Sequence, residues 1–343
     1  MISRGLYGGR GVRLEIREQE VRAPASDEVL VGVRCCGVCG TDLNFVRDWS
    51  DGLVPLGHEI AGEILEVGAG VRNLRSGDRV TVEDCTMCGN CLDCKSGHPE
   101  RCRNMHTLQG QPGMGEYLTV KAASVNRFEG LDFAAAALTE PLAVALAAVR
   151  TSQVALGDRV VVLGAGAIGL LIAALCRIAG ASDLTLVASN RDTRANQVKL
   201  ETARKIGVST ILRTGIHDVT AAYLGRNPTG AEQVFVTSPP KTLPVALSVA
   251  RFGGTVNLLG LDFGGGASVP LDVNELVFHK QRLLTTFAEP AIGFSQATAL
   301  IQSGAIHPEC FLGEPFGFET AEQRLKEALA GELACVKTYF MPG

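Results

Sequence analysis

The chain has 343 residues, too many for one ordinary core, with 46% hydrophobic and 20% charged residues and a net charge of −4. This is a globular composition suited to two domains, and an acidic balance without Lys/Arg clusters argues against a nucleic-acid or membrane-surface partner. Eleven cysteines, odd in number and spread along the chain, suit a reducing, cytoplasmic setting and metal binding better than a disulfide framework.

The opening MISRGLYGGRGVRLEI reads as a first strand and turn, without the apolar region of a secretory signal. EVLVGVRCCGVC, HEIAGEILEVGAG and SGDRVTVED follow as short strands divided by Gly and Asp turns, so the first part is β-rich. Between them lie GVCGTDLNF, with Cys39, and LGHEIAG, with His58 and Glu59. The intervening loop carries Asn44, Phe45, Arg47, Asp48 and Trp49, the single tryptophan, a polar and aromatic mixture suited to a polyhydroxylated substrate or to a plain surface loop.

CTMCGNCLDCKSGHPERC comes next. Cys88, Cys91, Cys94 and Cys102 follow C-x2-C-x2-C-x7-C, a set of soft thiolates that suits a closed, tetrahedral, structural zinc. An iron–sulfur cluster would use the same four thiolates, and Cys85 is left over as a competing ligand. Downstream, LTEPLAV places Glu140 ahead of a proline. Each of Cys39, His58, Glu59 and Glu140 is weak alone. Together they suit a zinc with one open or exchangeable position, as catalysis at a metal requires.

From about residue 144 the pattern changes. AVALAAVRTSQ is helical, and then RVVVL, LTLVA, TILRT, QVFVT, TVNLLG and LLTTF alternate with helical stretches such as KLETARKIG and KTLPVALSVARFG. Six strands alternating with helices predict an α/β fold with a doubly wound parallel sheet. The apolar run VVVLGAGAIGLLIAALC approaches the length of a membrane span, but LGAGAIG reads as a strand-to-helix turn that divides it. In that turn, Gly164, Gly166, Ala167, Ile168 and Gly169 form a dinucleotide fingerprint, which gains weight from its place after a strand and before a helix. Gly164 permits the turn, Gly166 the approach of a pyrophosphate, and Gly169 close packing of helix on strand.

The next strand, DLTLVASNRDTR, carries Ala188 where a ribose-binding acid belongs in NAD enzymes. Ser189, Asn190, Arg191 and Arg194 follow, an arrangement that favours a 2′-phosphate and therefore NADP(H) over NAD(H). The alternative, NAD held by Asp192, puts the acid four residues late, and Asp192 fits better as a helix N-cap. The loop between Ala188 and the next helix reads as longer than usual. The tail holds SQATALIQSG, TAEQRLKEALAG and a last strand, CVKTYFM, and is too short for a domain of its own.

GVCGTD, GHE, the four-cysteine lobe, EPL and GAGAIG, in this order over essentially the whole chain, resemble the zinc-dependent medium-chain dehydrogenases, with EPL similar to the sorbitol, sugar and threonine dehydrogenase branch. The resemblance implies a β-rich GroES-like catalytic domain at 1–143, a Rossmann dinucleotide-binding domain at 144–284, and a segment 285–343 that completes the first. It also implies two zincs per chain. Cys39 and His58 would bind the catalytic one with carboxylate from Glu59 and Glu140, either of which is open as the inner-sphere ligand. Thr41 matches the hydroxyl that takes the alcohol proton, and Asp42 a carboxylate that orients the histidine. Where many relatives carry a relay histidine this chain has Asn44, which takes up no proton at neutral pH.

The expected activity is hydride transfer between a secondary alcohol of a polyol, sugar or cyclitol and NADP, giving the ketone. An amino-alcohol dehydrogenase of the threonine or aminocyclitol type is the nearest alternative. A non-catalytic NADPH-binding protein is the more distant one. Relatives imply a homo-oligomer, a dimer or tetramer, with a small-molecule substrate and neither nucleic acid nor membrane as partner.

Overall fold

The structure, a computed structural model, describes residues 1–343 and divides into two compact units, Met1–Ala143 with Ala288–Gly343, and Val144–Phe287.

The first unit is built on antiparallel strands. Glu28–Gly37 is its central strand, paired with Glu59–Val67, Tyr117–Lys121 and the C-terminal Lys337–Phe340. A register shift between Val33 and Cys35 reverses its alternation. Val29, Val31 and Val33 face the large apolar cluster, as do Cys36 and Val38, whereas Cys35 faces a second cluster with Phe128, Ala136 and Ala137. Both faces of the strand are therefore covered, which explains why it reads as a nearly continuous apolar run. Ile2–Gly9 and Arg13–Glu20 form a hairpin in a separate three-stranded sheet.

The second unit holds a six-stranded, all-parallel sheet. Its order is Thr210–Arg213, Asp183–Ala188, Arg159–Leu163, Ala231–Val236, Ala250–Leu258 and Arg282–Thr285. This is the doubly wound order, which reverses at Arg159–Leu163, where the crevice at the carboxyl ends of the strands receives ligands. All six predicted strands are present. The inner ones are buried almost throughout because helices cover both faces of a parallel sheet.

The long apolar run divides as its glycines predict, into the strand Arg159–Leu163 and the helix Ala167–Ile178. By length and composition alone Phe133–Ser152 is the one stretch that would cross a membrane, and 67% of its most apolar window is buried within the fold.

Candidate functional site

Cys39 caps the short helix Gly40–Asn44 with extended backbone angles, φ −80° and ψ 154°. Asp42, three residues on and 2% exposed, turns back so that its Oδ2 accepts the backbone N–H of Cys39 at 2.9 Å. Its Oδ1 accepts the N–H of Gly57 at 2.9 Å. One buried carboxylate thus ties the Cys39 turn to the His58 turn. His58 Nδ1 lies 4.0 Å from Asp42 Oδ1, so the pair is an electrostatic contact and not a hydrogen bond.

Glu59 opens its strand opposite Gly37 in register. A side chain at Gly37 is excluded, because a Cβ there would lie 2.0 Å from Glu59 Oε2. The ligand atoms of Cys39, His58 and Glu59 all fall within 4.8 Å of one another. Glu59 Oε1 accepts from Lys337 Nζ at 2.7 Å, and that ammonium also donates to the Val38 carbonyl at 3.0 Å. Glu59 Oε2 is buried without any partner, an orphaned acceptor that suits a cation. A thiolate, an imidazole and a carboxylate oxygen in this spacing fit zinc.

Glu140, in the first turn of the helix Thr139–Ser152, lies outside that tight group but within its field. Burial pushes its carboxyl well above the usual range, against the opposing pull of His58. His58 itself is raised well above the ordinary imidazole value. Burial works against its charge, and Cys39, Asp42 and Glu140 outweigh burial. Lys337 is likewise held up against its burial, chiefly by Glu59.

The sulfurs of Cys88, Cys91, Cys94 and Cys102 also gather within 4.8 Å. Cys88 accepts the N–H groups of Asn90 and Cys91, each at 3.4 Å, which with the neighbouring thiols bring it down to about 6. Backbone donors that favour thiolate on a four-sulfur set fit a closed zinc site. Cys85 does not compete for it. It is buried and groups instead with Asp84 and Glu289. Burial raises the Asp84 carboxyl, and His58 partly opposes that rise.

In the second unit, Gly164 adopts φ +117° and the helix Ala167–Ile178 starts from Gly166. A Cβ at Gly169 would lie 1.9 Å from the Gly164 carbonyl, so the helix packs onto the turn only because that side chain is missing. At Gly166 nothing lies within 4 Å of a Cβ, which leaves the helix N-terminus open to a phosphate. This cradle fits a dinucleotide.

Ala188 ends its strand buried, and Ser189, Asn190, Arg191 and Arg194 are exposed beyond it. Two expectations are corrected here. The N-cap of the following helix is Thr193, whose hydroxyl accepts the Asn196 N–H at 3.2 Å, and Asp192 accepts from Gln197 Nε2 instead. The helix begins at Arg194, so only Ser189–Thr193 form the loop and the extra residues are helical.

Sequence reasoning missed Lys337, Asp84 and Glu289. None lies in a local motif. Lys337 reaches Glu59 across 278 residues of chain, and an isolated lysine in a predicted strand carries no local signal of burial.

Residues 25–129 match the alcohol dehydrogenase GroES-like domain and residues 167–303 the zinc-binding dehydrogenase domain. A 2-dehydro-3-deoxy-L-galactonate 5-dehydrogenase of Pseudoalteromonas atlantica is 31% identical, covering 84% of each chain. An L-threonine 3-dehydrogenase of Pyrococcus furiosus is 30% identical over 95% of this chain and 94% of its own. A zinc-binding dehydrogenase of Sinorhizobium meliloti, solved bound to NADP, superposes with a TM-score of 0.87 at 28% identity over the whole of both chains. Two matched domains in this order, with relatives of this identity spanning most of the chain, show that the protein belongs to the zinc-dependent medium-chain alcohol dehydrogenase family and is an oxidoreductase of alcohol or polyol type.

Proposed function

We propose that the protein interconverts a secondary alcohol of a polyol, sugar, sugar acid or cyclitol with its ketone, using NADP(H) in preference to NAD(H). The observation that carries the reading is the Cys39, His58 and Glu59 group with its orphaned Glu59 oxygen. In this reading Cys39 and His58 hold a catalytic zinc with Glu59 or Glu140, and Cys88, Cys91, Cys94 and Cys102 hold a structural one. The catalytic zinc supplies Lewis acidity that makes an alcohol proton easier to lose. Asp42 fixes the two turns that carry Cys39 and His58. Thr41, on the same helical turn, offers a hydroxyl that relays the proton, and because Asn44 takes up none the hydroxyl passes its own proton on to water or a ribose hydroxyl. Glu140 stands beside this group as the other candidate carboxylate.

The hydroxylated substrate is supported by the galactonate relatives and by the polar, aromatic turn Phe45–Trp49, in which Arg47 pairs with Asp48 at 3.1 Å. The threonine dehydrogenase relatives, at similar identity, support the amino-alcohol alternative. A panel of polyols, sugar acids and amino alcohols with each cofactor separates the two, read as kcat/KM. A preference for NAD refutes the cofactor reading. One zinc per chain with no activity lost to chelation would favour a non-catalytic NADPH-binding protein.

The chain also assembles as a homo-oligomer in this reading. The strand Arg282–Thr285 has a partner on one side only, and Leu261, Phe263, Val277, Phe278 and Phe287 are exposed in the same unit. An open edge beside apolar surface suits a second copy of the chain. Light scattering should give a dimer or tetramer that Phe278→Asp weakens; a monomeric wild type sinks this. Eleven cysteines spread along the chain suit the cytoplasmic setting of this reading.

A further inference from the structure

The carboxyl ends of two neighbouring parallel strands meet beside the adenosine end of the proposed cofactor site. Ala188 pairs in register with Arg213, and the Thr214 N–H continues the ladder to the Ala188 carbonyl at 2.9 Å. The loop after Ala188 is held by backbone. Asn196 Nδ2 donates to the Ser189 carbonyl at 3.3 Å and to the Arg191 carbonyl at 2.7 Å. Arg213 Nη2 reaches the same Arg191 carbonyl at 3.5 Å, so its guanidinium is aligned against the loop that replaces the ribose-binding acid.

Arg213 Nε is buried and has no acceptor. A guanidinium N–H removed from water without a partner is costly, and an oxygen-rich anion is the group that would satisfy it. Arg191 and Arg194 are exposed nearby and sit in no ion pair. Asp192, the only carboxylate of the loop, accepts from Gln197 and does not neutralise them. Around Ala188 the three arginines thus outnumber the one carboxylate of the loop.

We propose that Arg213 is the second cation of the 2′-phosphate site, supplied by the adjacent strand, and that with Arg191 it determines the choice of NADP(H). The proposal rests on the NADP(H) reading and deepens it. Ala188 removes the competing carboxylate, Arg191 supplies charge from the loop, and Arg213 supplies a fork fixed by the sheet.

Calorimetric titration with adenosine 2′-monophosphate and adenosine 5′-monophosphate, and fluorescence titration with NADPH and NADH, test this on the wild type, Arg213→Gln, Arg213→Lys and Arg191→Gln. Thermal melts establish that each variant is folded. Arg213→Gln should lose about ten- to a hundredfold in affinity for NADPH and the 2′-monophosphate, while its affinity for NADH and the 5′-monophosphate stays within about twofold of wild type. Arg213→Lys should recover part of the loss. Equal weakening of NADPH and NADH would show that Arg213 only braces the loop, and overturns the proposal. So does an Arg213→Gln protein that keeps its NADPH preference while Arg191→Gln loses it. A wild type that binds the two monophosphates alike overturns the NADP(H) reading itself, and the proposal with it.

Discussion

At the scale of single residues, the buried Lys337–Glu59 pair carries the sharpest consequence. The two side chains are 4% and 1% exposed, and Lys337 is the only counter-charge that touches Glu59. Lys337→Met leaves a buried carboxylate uncompensated and should cost about 3–5 kcal/mol of stability, measured by urea unfolding of the metal-free protein. Adding Glu59→Gln should restore a large part of it. Additive losses in the double variant would argue against coupling. Glu140 makes the contrasting case. Glu140→Ala should lower kcat/KM about a hundredfold and leave the four-cysteine lobe folded. Wild-type activity in that variant would remove Glu140 from the zinc assignment.

At the scale of elements, two short segments have no core of their own and depend on specific contacts. The Cys88–Cys102 lobe contains only a four-residue helix, Leu92–Lys95, and a 3-10 turn, Pro99–Arg101. Its sulfur cluster is the main cross-link in view. Cys94→Ser should reduce the metal content by one zinc per chain and make the lobe the first site of proteolysis. Metal analysis that still finds the full complement would place the zinc elsewhere. The Gly164–Gly169 turn depends on packing instead. Gly169→Ala sets a methyl against a backbone carbonyl that cannot swing away, and should cost about 1–3 kcal/mol. Both NADPH and NADH should bind more weakly to it, by the same factor, since the pyrophosphate is common to them. That symmetry separates this turn from the arginines near Ala188.

At the scale of the whole molecule, each unit carries an acid-sensitive clamp. In the first, Glu28 accepts from Arg22 and from the Ala25 N–H at 3.0 Å, with Lys121 at 3.3 Å, and Arg22 above all brings its carboxyl down to about 2. In the second, burial works against the charge of Glu232, yet Arg159, with paired hydrogen bonds of 2.8 to 3.0 Å, brings it to about 2 as well. Both folded values lie below the ordinary 4.5. The stability these groups contribute is therefore full above about pH 4.5 and is lost as pH falls towards 2. Thermal midpoints at pH 6 and pH 3 should fall further in the wild type than in Glu28→Gln or Glu232→Gln. Equal falls would show that other groups govern acid unfolding.

The sequence by itself determined what depends on short-range pattern. The six strands of the parallel sheet were legible because buried strands read as continuous apolar runs and their helices repeat every three to four residues. The cysteine lobe and the glycine turn were legible because their geometry is local, with all their groups within about twenty residues. Tertiary structure decided what depends on distant chain. It made Lys337 a partner of Glu59, turned Cys85 away from the lobe towards Asp84 and Glu289, and set Arg213 beside Ala188. It also gave the N-cap to Thr193, where Asp192 had the better helix-capping residue type but Thr193 had the required extended backbone. A buried charge becomes legible only when its counter-charge is folded against it, because neither residue alone carries a pattern that a neighbour along the chain can reveal.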